Sequence, residues 1–396
     1  MKQQLLFVLP SLEAGGGEKS LVTLLNCIDY DQYDVDLVLF VPKGIFLKQL
    51  PKNVKLLYLN DDYKTFTSGL SSTIVSFLKQ RKFGLTFSRL LYTFKSNVIK
   101  NKGKAEQYSW KHLKKSITSL PKEYDAAIGF LEKSSIYFVV DCVKAKRKIG
   151  FIHNDYVKLD LDASFDLPYF EKLNTIATVS EQCVTVLKEV FPTQKDKVQL
   201  LYNIVSAKLI HQMAEEPVTI DTTKPSLLSI GRLHPQKGFD LAIEAAALLK
   251  KHGLNFVWYI IGEGAERTAL EQAITKNDLE KHVVLLGIKE NPYPYIKQTT
   301  IFVQPSRYEG KSIALDEAKL LHKPIVVTNF TTAKDQIGHM KNGIICEIDA
   351  ESLANALAGL LQNESLQKDF SLHLSKESLG SEAEINTFYQ LINGTN

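Results

Sequence analysis

Two glutamates eight positions apart, Glu309 and Glu317, stand on either side of a strand-to-helix junction in the stretch SRYEGKSIALDEAK, Ser306 to Lys319. The apolar run Ile301–Val303 ahead of it predicts a buried strand. Residues from Ser312 onward have helical composition, with Ser312 in the N-cap position. Glu309 then lies in the connecting loop, and Glu317 about one and a half turns inside the helix. Backbone N–H groups at a helix start favour phosphate. A carboxylate on each side of them can grip hydroxyl groups carried by that phosphate. The same residues also fit an ordinary strand–loop–helix with two surface glutamates, so the rest of the chain has to decide.

A second set of residues suits the same chemistry. The strand expected at Ser226–Ile230 runs into GRLHPQKG, where Arg232 and Lys237 stand at the mouth of an apolar-periodic helix. Two cations beside helix N–H donors make a clamp for a diphosphate. Gly262 and Gly264 directly follow the next strand, VWYII. A third strand ends at Gly287–Ile288, where exposed backbone groups at Ile288 can read the edge of a nucleobase. In the first half, Gly15, Gly16 and Gly17 separate a strand, Leu5–Leu9, from a helix, Glu18–Ile28. Such a turn lets a phosphate or sugar approach the backbone. Its spacing is neither a Walker loop nor G-x-G-x-x-G, and a tight turn without a ligand fits as well. His153 stands just past the strand Lys148–Ile152, at the carboxyl end where ligands of parallel sheets collect. A structural histidine would occupy that place equally well.

These residues need a scaffold, and the chain supplies alternating strands and helices. Further strands are expected at Val35–Val41, Val54–Leu59, Ala126–Phe130 and Ile176–Val179, with Ser180 capping the helix after the last. The second half adds Pro324–Thr328 and Gly343–Cys346, then a helix Ala350–Gln362. This rhythm predicts doubly wound, mostly parallel α/β sheets. A chain of 396 residues exceeds one typical core. We expect domains at 1–205 and 206–377, a polar linker over Lys208–Lys224, and a helix over 378–396 packing back on the first domain.

Hydrophobic content of 44% and charged content of 23% are those of a soluble globular protein. No stretch approaches the ~18 apolar residues of a membrane span, and Leu5–Leu9 reads as a first strand rather than a leader. Cys27, Cys142, Cys183 and Cys346 are scattered, which suits core thiols in a reducing cytoplasm. Asp34–Val35–Asp36 opens a strand and Asp160–Leu161–Asp162 precedes a helix, so neither is a convincing metal-binding pair. No metal and no other cofactor is expected.

The charge is uneven. The net charge is +4, yet Lys79–Lys115 alone holds eleven Lys/Arg against one acid, Glu106. Phe83, Phe87, Leu90, Leu91, Tyr92, Phe94 and Trp110 interleave with those cations. Basic amphipathic helices with aromatics read as membrane-surface elements. A solvated cationic face is the alternative. Nucleic acid is not expected, because no recognised binding motif accompanies the charge.

The series GRLHPQKG, IIGEGAER, LLGIKEN and SRYEG–x6–E resembles the nucleotide-sugar-binding domain of retaining GT-B glycosyltransferases of family 4, bacterial cell-envelope and capsule members in particular. The resemblance covers essentially the whole chain. It is specific in the second half and looser in the first, where it rests on the glycine loop, His153 and Asn203. It implies two Rossmann-like doubly wound domains facing across a cleft. It also implies transfer of a sugar, with retention, from a nucleotide-diphosphate donor (UDP-linked) to a saccharide or lipid-linked acceptor in cell-surface polysaccharide or glycoconjugate biosynthesis. By that resemblance Arg232 and Lys237 hold the diphosphate, Glu317 the ribose hydroxyls, and Glu309 the transferred sugar. Backbone N–H groups of Lys311, Ser312 and Ile313 meet the distal phosphate, and Ile288 the base. Gly16, Gly17 and Asn203 belong to the donor site, with His153 facing the sugar or the acceptor. Relatives often read E-G-F-G-L where this chain reads Glu309–Gly310–Lys311–Ser312–Ile313, so the sugar pocket is expected to differ at Lys311. The expected location is cytoplasmic, peripheral at the inner face of the cell membrane. Two other classes stay open: a non-catalytic sugar-binding partner of another transferase, and a nucleotide-sugar epimerase. Four charged residues at one site argue against the first. The second needs an acid–base set for a C2 proton, and none stands out.

Overall fold

The computed structural model describes residues 2–394 except 14, 222 and 378, and leaves aside the side chains at 208 and 209. Positions 378, 395 and 396 of the expected C-terminal helix therefore lie outside the described residues. The chain forms two compact units. One comprises Met1–Glu13, Gly17–Tyr202 and Ala383–Asn396, the other Ala14–Gly16 and Asn203–Glu382.

The first unit is built on seven strands: β1 (Gln3–Leu9), β2 (Tyr33–Leu39), β3 (Val54–Leu57), β4 (Glu123–Gly129), β5 (Lys144–Ile152), β6 (Thr175–Thr178) and β7 (Val198–Leu200). They lie in the order β3-β2-β1-β4-β5-β6-β7, every pair parallel. The second unit holds β8 (Ser226–Ile230), β9 (Val257–Ile261), β10 (Val283–Gly287), β11 (Ile301–Gln304), β12 (Ile325–Thr328) and β13 (Ile344–Cys346). Their order is β10-β9-β8-β11-β12-β13, again wholly parallel. Strands covered on both faces read as continuous apolar runs. Leu5–Leu9 and Ile301–Val303, entirely buried, show this directly.

Each sheet starts in its middle, winds to one side, then returns and winds to the other. The order reverses between β1 and β4 and again between β8 and β11. Loops leaving the two central strands diverge at such a point and open a crevice at their carboxyl ends. Arg232, Lys237 and Glu309 sit on those loops, and Glu317 in the helix that follows the second of them.

The helix Glu384–Asn393 packs on the first sheet. Phe388 stacks on Phe7 of β1 at 5.9 Å and Tyr389 on Tyr33 of β2 at 5.0 Å, while the Tyr389 hydroxyl accepts the Asp29 N–H at 2.8 Å. Ser180 caps the helix Glu181–Val190, its hydroxyl accepting the Cys183 N–H.

The expected linker needs correction. Residues 207–213 form a helix, Ala207–Met213, whose Ile210 and the following Ala214 are buried in the second unit's core with Leu315, Ala318 and Leu321. Charged residues at 215 and 216 masked the apolar face just ahead of them. Among the described residues, no helix is long and apolar enough to cross a membrane.

Candidate functional site

The loops after β8 and β11 meet through a charged pair. Lys237 Nζ lies 2.5 Å from Glu309 Oε1. Gly238 makes this approach possible. Its φ of +66° is left-handed, and a Cβ there would fall 2.0 Å from the Pro305 carbonyl oxygen, so only glycine fits. Arg307 clamps the two loops further. Its guanidinium donates to both Asp240 carboxylate oxygens at 2.8 and 2.6 Å and to the Pro235 carbonyl at 2.8 Å. That bidentate pairing holds the Asp240 carboxyl below its ordinary range.

Glu309 is buried, and its two oxygens are used differently. Oε1 accepts from Lys237, from the Ser306 hydroxyl at 2.7 Å and from the Gln304 amide at 3.2 Å. Oε2 has one long contact among the described residues, 3.5 Å from Gln236 Nε2. The Thr332 hydroxyl fixes the Glu309 carbonyl at 3.1 Å. Arg232, five residues ahead of Lys237, is exposed. Burial, and then the charges of Arg232 and Lys237, push the His234 imidazole below its ordinary pKa. On the other side, burial and then the Glu309 charge push the Tyr308 phenol up.

The helix after this loop runs Ile313–Leu320, and Glu317 lies buried within it, accepting from the Tyr293 hydroxyl at 3.0 Å. Ser312 stands in the N-cap position, as expected. Its hydroxyl makes no capping bond and instead donates to Gln304 Oε1 at 3.3 Å. Its backbone N–H, assigned to phosphate, donates to Gln336 Oε1 at 2.9 Å, and Gln336 Nε2 returns to the Ser312 carbonyl at 2.8 Å. A side chain from 24 positions downstream satisfies this helix start, which no local pattern foretold. Lys311 reaches toward Asp316 at 3.7 Å.

Gly262 and Gly264 have packing roles in this structure. A Cβ on Gly262, at φ +151°, would meet the Gly231 carbonyl at 1.9 Å, and one on Gly264 the Leu233 carbonyl at 2.2 Å. They seat the loop after β9 against the loop that holds Arg232. Ile288 follows the end of β10 and is exposed. Asn203 is buried at the start of the second unit, its carbonyl accepting from the Ser381 hydroxyl at 2.6 Å.

Gly16 opens the helix Gly16–Cys27, and in the first unit Gly17 lies beside His153. A Cβ on Gly17 would come 2.6 Å from a Leu131 methyl and 3.8 Å from His153 Cγ. His153 is buried, stacked near Phe151 and tilted against Phe130 at 5.0 Å. Its Nε2 has no hydrogen-bond partner among the described residues. Burial holds the imidazole below its ordinary pKa, against the opposing charge of Glu132 and a bond to the Phe130 backbone. Glu132 accepts the backbone N–H groups of His153 and Asn154 at 2.7 and 3.1 Å. Glu132, Gln304 and Gln336 carry no local signature, and the sequence alone assigned no role to them or to Ser306 and Arg307 within SRYEG. Among the described residues, no three His, Cys, Asp or Glu side chains cluster as metal ligands.

Residues 212–373 match the family model described as Glycosyl transferases group 1. That stretch, less than half of the chain, holds the Lys237–Glu309 pair. Over 203 residues the chain is 31% identical to the N-acetylgalactosamine-N,N'-diacetylbacillosaminyl-diphospho-undecaprenol 4-alpha-N-acetylgalactosaminyltransferase of Campylobacter jejuni, covering 51% of this chain and 54% of that protein. Over 148 residues it is 36% identical to the amylovoran biosynthesis glycosyltransferase AmsK of Erwinia amylovora, covering 35% and 36%. The chain thus spans about half or less of the length of these two relatives. Solved structures align along nearly its full length. HepE of Anabaena, in complex with UDP and glucose, gives a TM-score of 0.71 at 15% identity, covering 100% of each chain. A point mutant of TarM from S. aureus, in complex with Fondaparinux, alpha-GlcNAc-glycerol and UDP, gives 0.69 at 16%, covering 99% and 100%. Likeness at these identities is one of fold, and the fold is GT-B.

Proposed function

We propose that the chain is a metal-independent family 4 glycosyltransferase. It moves a sugar from a UDP-linked donor to a saccharide or lipid-linked acceptor, with retention, in cell-surface polysaccharide or glycoconjugate biosynthesis. The observation that carries this reading is the pairing of Lys237 with the buried Glu309 at the point where the second sheet reverses its strand order. The match of residues 212–373 supports it, as do the names of the Campylobacter and Erwinia relatives and the UDP complexes of HepE and TarM.

The chemistry uses these residue types directly. Breaking the bond between an anomeric carbon and a diphosphate leaves negative charge on the departing oxygen and positive character on the sugar. Lys237 and Arg232 supply fixed cations for the first. Glu309 serves the second: with Oε1 held by three donors, Oε2 is the oxygen that meets the sugar hydroxyls. Glu317, further into its helix, takes the ribose. The distal phosphate lies toward Lys237, Arg232 and the helix start at Ile313, and the Ser312 amide stays with Gln336.

A thermal-shift screen with UDP, UDP-hexoses and UDP-N-acetylhexosamines tests donor binding, since a ligand of the folded state raises the melting point. The NMR coupling of the product's anomeric proton then reads the stereochemistry. Absence of any shift, or donor epimerised without transfer, would remove the reading.

A further inference from the structure

The helix Phe83–Val98 is turned the wrong way for a water-facing surface. Its buried residues are Thr86 and Ser88. Its exposed large side chains are Phe83, Phe87, Leu90, Phe94 and Val98, between 45% and 64% accessible. Spacings of four, three, four and four put these five on one stripe. Gly84 and Asn97 complete the exposed set, so that face carries no charge. The helix's own cations point elsewhere: Arg89 bonds Thr93 and the Ser68 carbonyl, and Lys95 bonds the Tyr108 carbonyl. The adjoining helix Leu70–Lys79 packs against it and adds exposed Val75 and Leu78.

Cations stand at both ends of the stripe. Lys79 and Arg81 precede the helix, Lys100 and Lys102 follow it, and all four are exposed. Elsewhere in the window Lys82, Lys104 and Lys114 are neutralised by Asp62, Asp160 and Asp141. The sequence's expectation that Trp110 belongs to this surface is corrected: it is buried, its indole N–H bonded to Asp141. Tyr92 packs inward on Phe66.

We propose that this stripe is a membrane-docking surface. The helix lies in the plane of an anionic bilayer, with Phe83, Phe87 and Phe94 entering the headgroup–acyl boundary and Lys79, Arg81, Lys100 and Lys102 resting on the lipid phosphates. Its length, sixteen residues or about 24 Å, suits an in-plane element rather than a span. A second copy of the chain is the poorer occupant. Twofold pairing along the stripe would bring the cations at its ends together, whereas an anionic surface matches cations at both ends. Docking here is independent of the transfer reaction, so its test is independent too.

Co-sedimentation of the full chain with vesicles decides it, comparing phosphatidylcholine alone with equal parts phosphatidylcholine and phosphatidylglycerol. Selective binding to the second is expected, with release as salt shortens the Debye length to roughly 3 Å at 1 M. Phe83→Ser/Phe87→Ser/Phe94→Ser should lower binding about tenfold or more, while melting point and UDP binding stay unchanged. Lys79→Glu/Arg81→Glu/Lys100→Glu/Lys102→Glu should abolish the preference for phosphatidylglycerol. Equal behaviour on both vesicles, or binding indifferent to the Phe variant, overturns the proposal. So does a dimer in sedimentation velocity that the Phe variant splits.

Discussion

Lys237 Nζ and Glu309 Oε1 lie 2.5 Å apart although 72 positions separate them in the chain. Each is delivered by the loop leaving one of the two central strands of the second sheet. The side chains are 20% and 6% exposed, so water screens the pair weakly. Lys237→Met leaves a buried carboxylate with neutral donors only, and should cost about 3 kcal/mol of stability. Glu309→Gln should cost less, because the Lys237 ammonium is the more exposed partner. Urea unfolding of both single variants and the double variant should give a coupling energy above about 1 kcal/mol. Simple additivity would mean the pair contributes nothing.

The two glutamates should separate in kinetics. Glu317 sits within the helix beside Tyr293, and contacts to a ribose change little as the glycosidic bond breaks. Glu317→Ala is expected to raise the donor KM with a smaller effect on kcat. Charge on the sugar develops only in the transition state, so Glu309→Ala should lower kcat by roughly 10²-fold or more. Near-normal kcat for Glu309→Ala would show that it does not face the reacting sugar.

His153 predicts a pH dependence of stability. Burial lowers its pKa in the folded state, so the unfolded chain binds the proton more readily. The folded state therefore keeps full stability above the ordinary imidazole value near 6.5 and loses part of it as pH falls through that value. His153→Gln removes this loss. The difference in melting point between the natural chain and His153→Gln should shift toward the variant from pH 7.5 to 5.5, as read by calorimetry at roughly half-unit steps. A constant difference would mean that His153 is not held neutral by burial.

Gly238→Ala tests the loop geometry. A methyl group there meets the Pro305 carbonyl and a left-handed backbone at once. The expected cost is about 2 kcal/mol or more. UDP binding should weaken with it, because the loop that carries Lys237 must shift. A variant as stable as the natural chain would show that the two loops are free to part.

Activity should survive excess EDTA. In the proposed mechanism the charge on a departing diphosphate falls to Lys237, Arg232 and a helix N-terminus, and no metal ion is needed. Turnover lost in chelator and restored by Mg²⁺ or Mn²⁺ would contradict that arrangement.

Much of this was legible in the chain itself. Apolar runs such as Leu5–Leu9, Ser226–Ile230 and Ile301–Val303 mark strands because a strand buried on both faces must be apolar at every position. Their alternation with helices leads to doubly wound parallel sheets. Arg232, Lys237, Glu309 and Glu317 stood out because their types and spacing at strand ends are local properties. Tertiary structure decided the rest, since it turns on contacts between residues far apart. Glu309's carboxylate is set by Gln304, Ser306 and Lys237, and the Ser312 amide by Gln336. The first part of the expected linker became a core helix because Ile210 is buried in the second unit's core. In the basic window the sequence supplied the aromatics and the cations. Only packing decided that Trp110 goes in and Phe83, Phe87 and Phe94 stay out, because which face of a helix is buried depends on the neighbour that covers it.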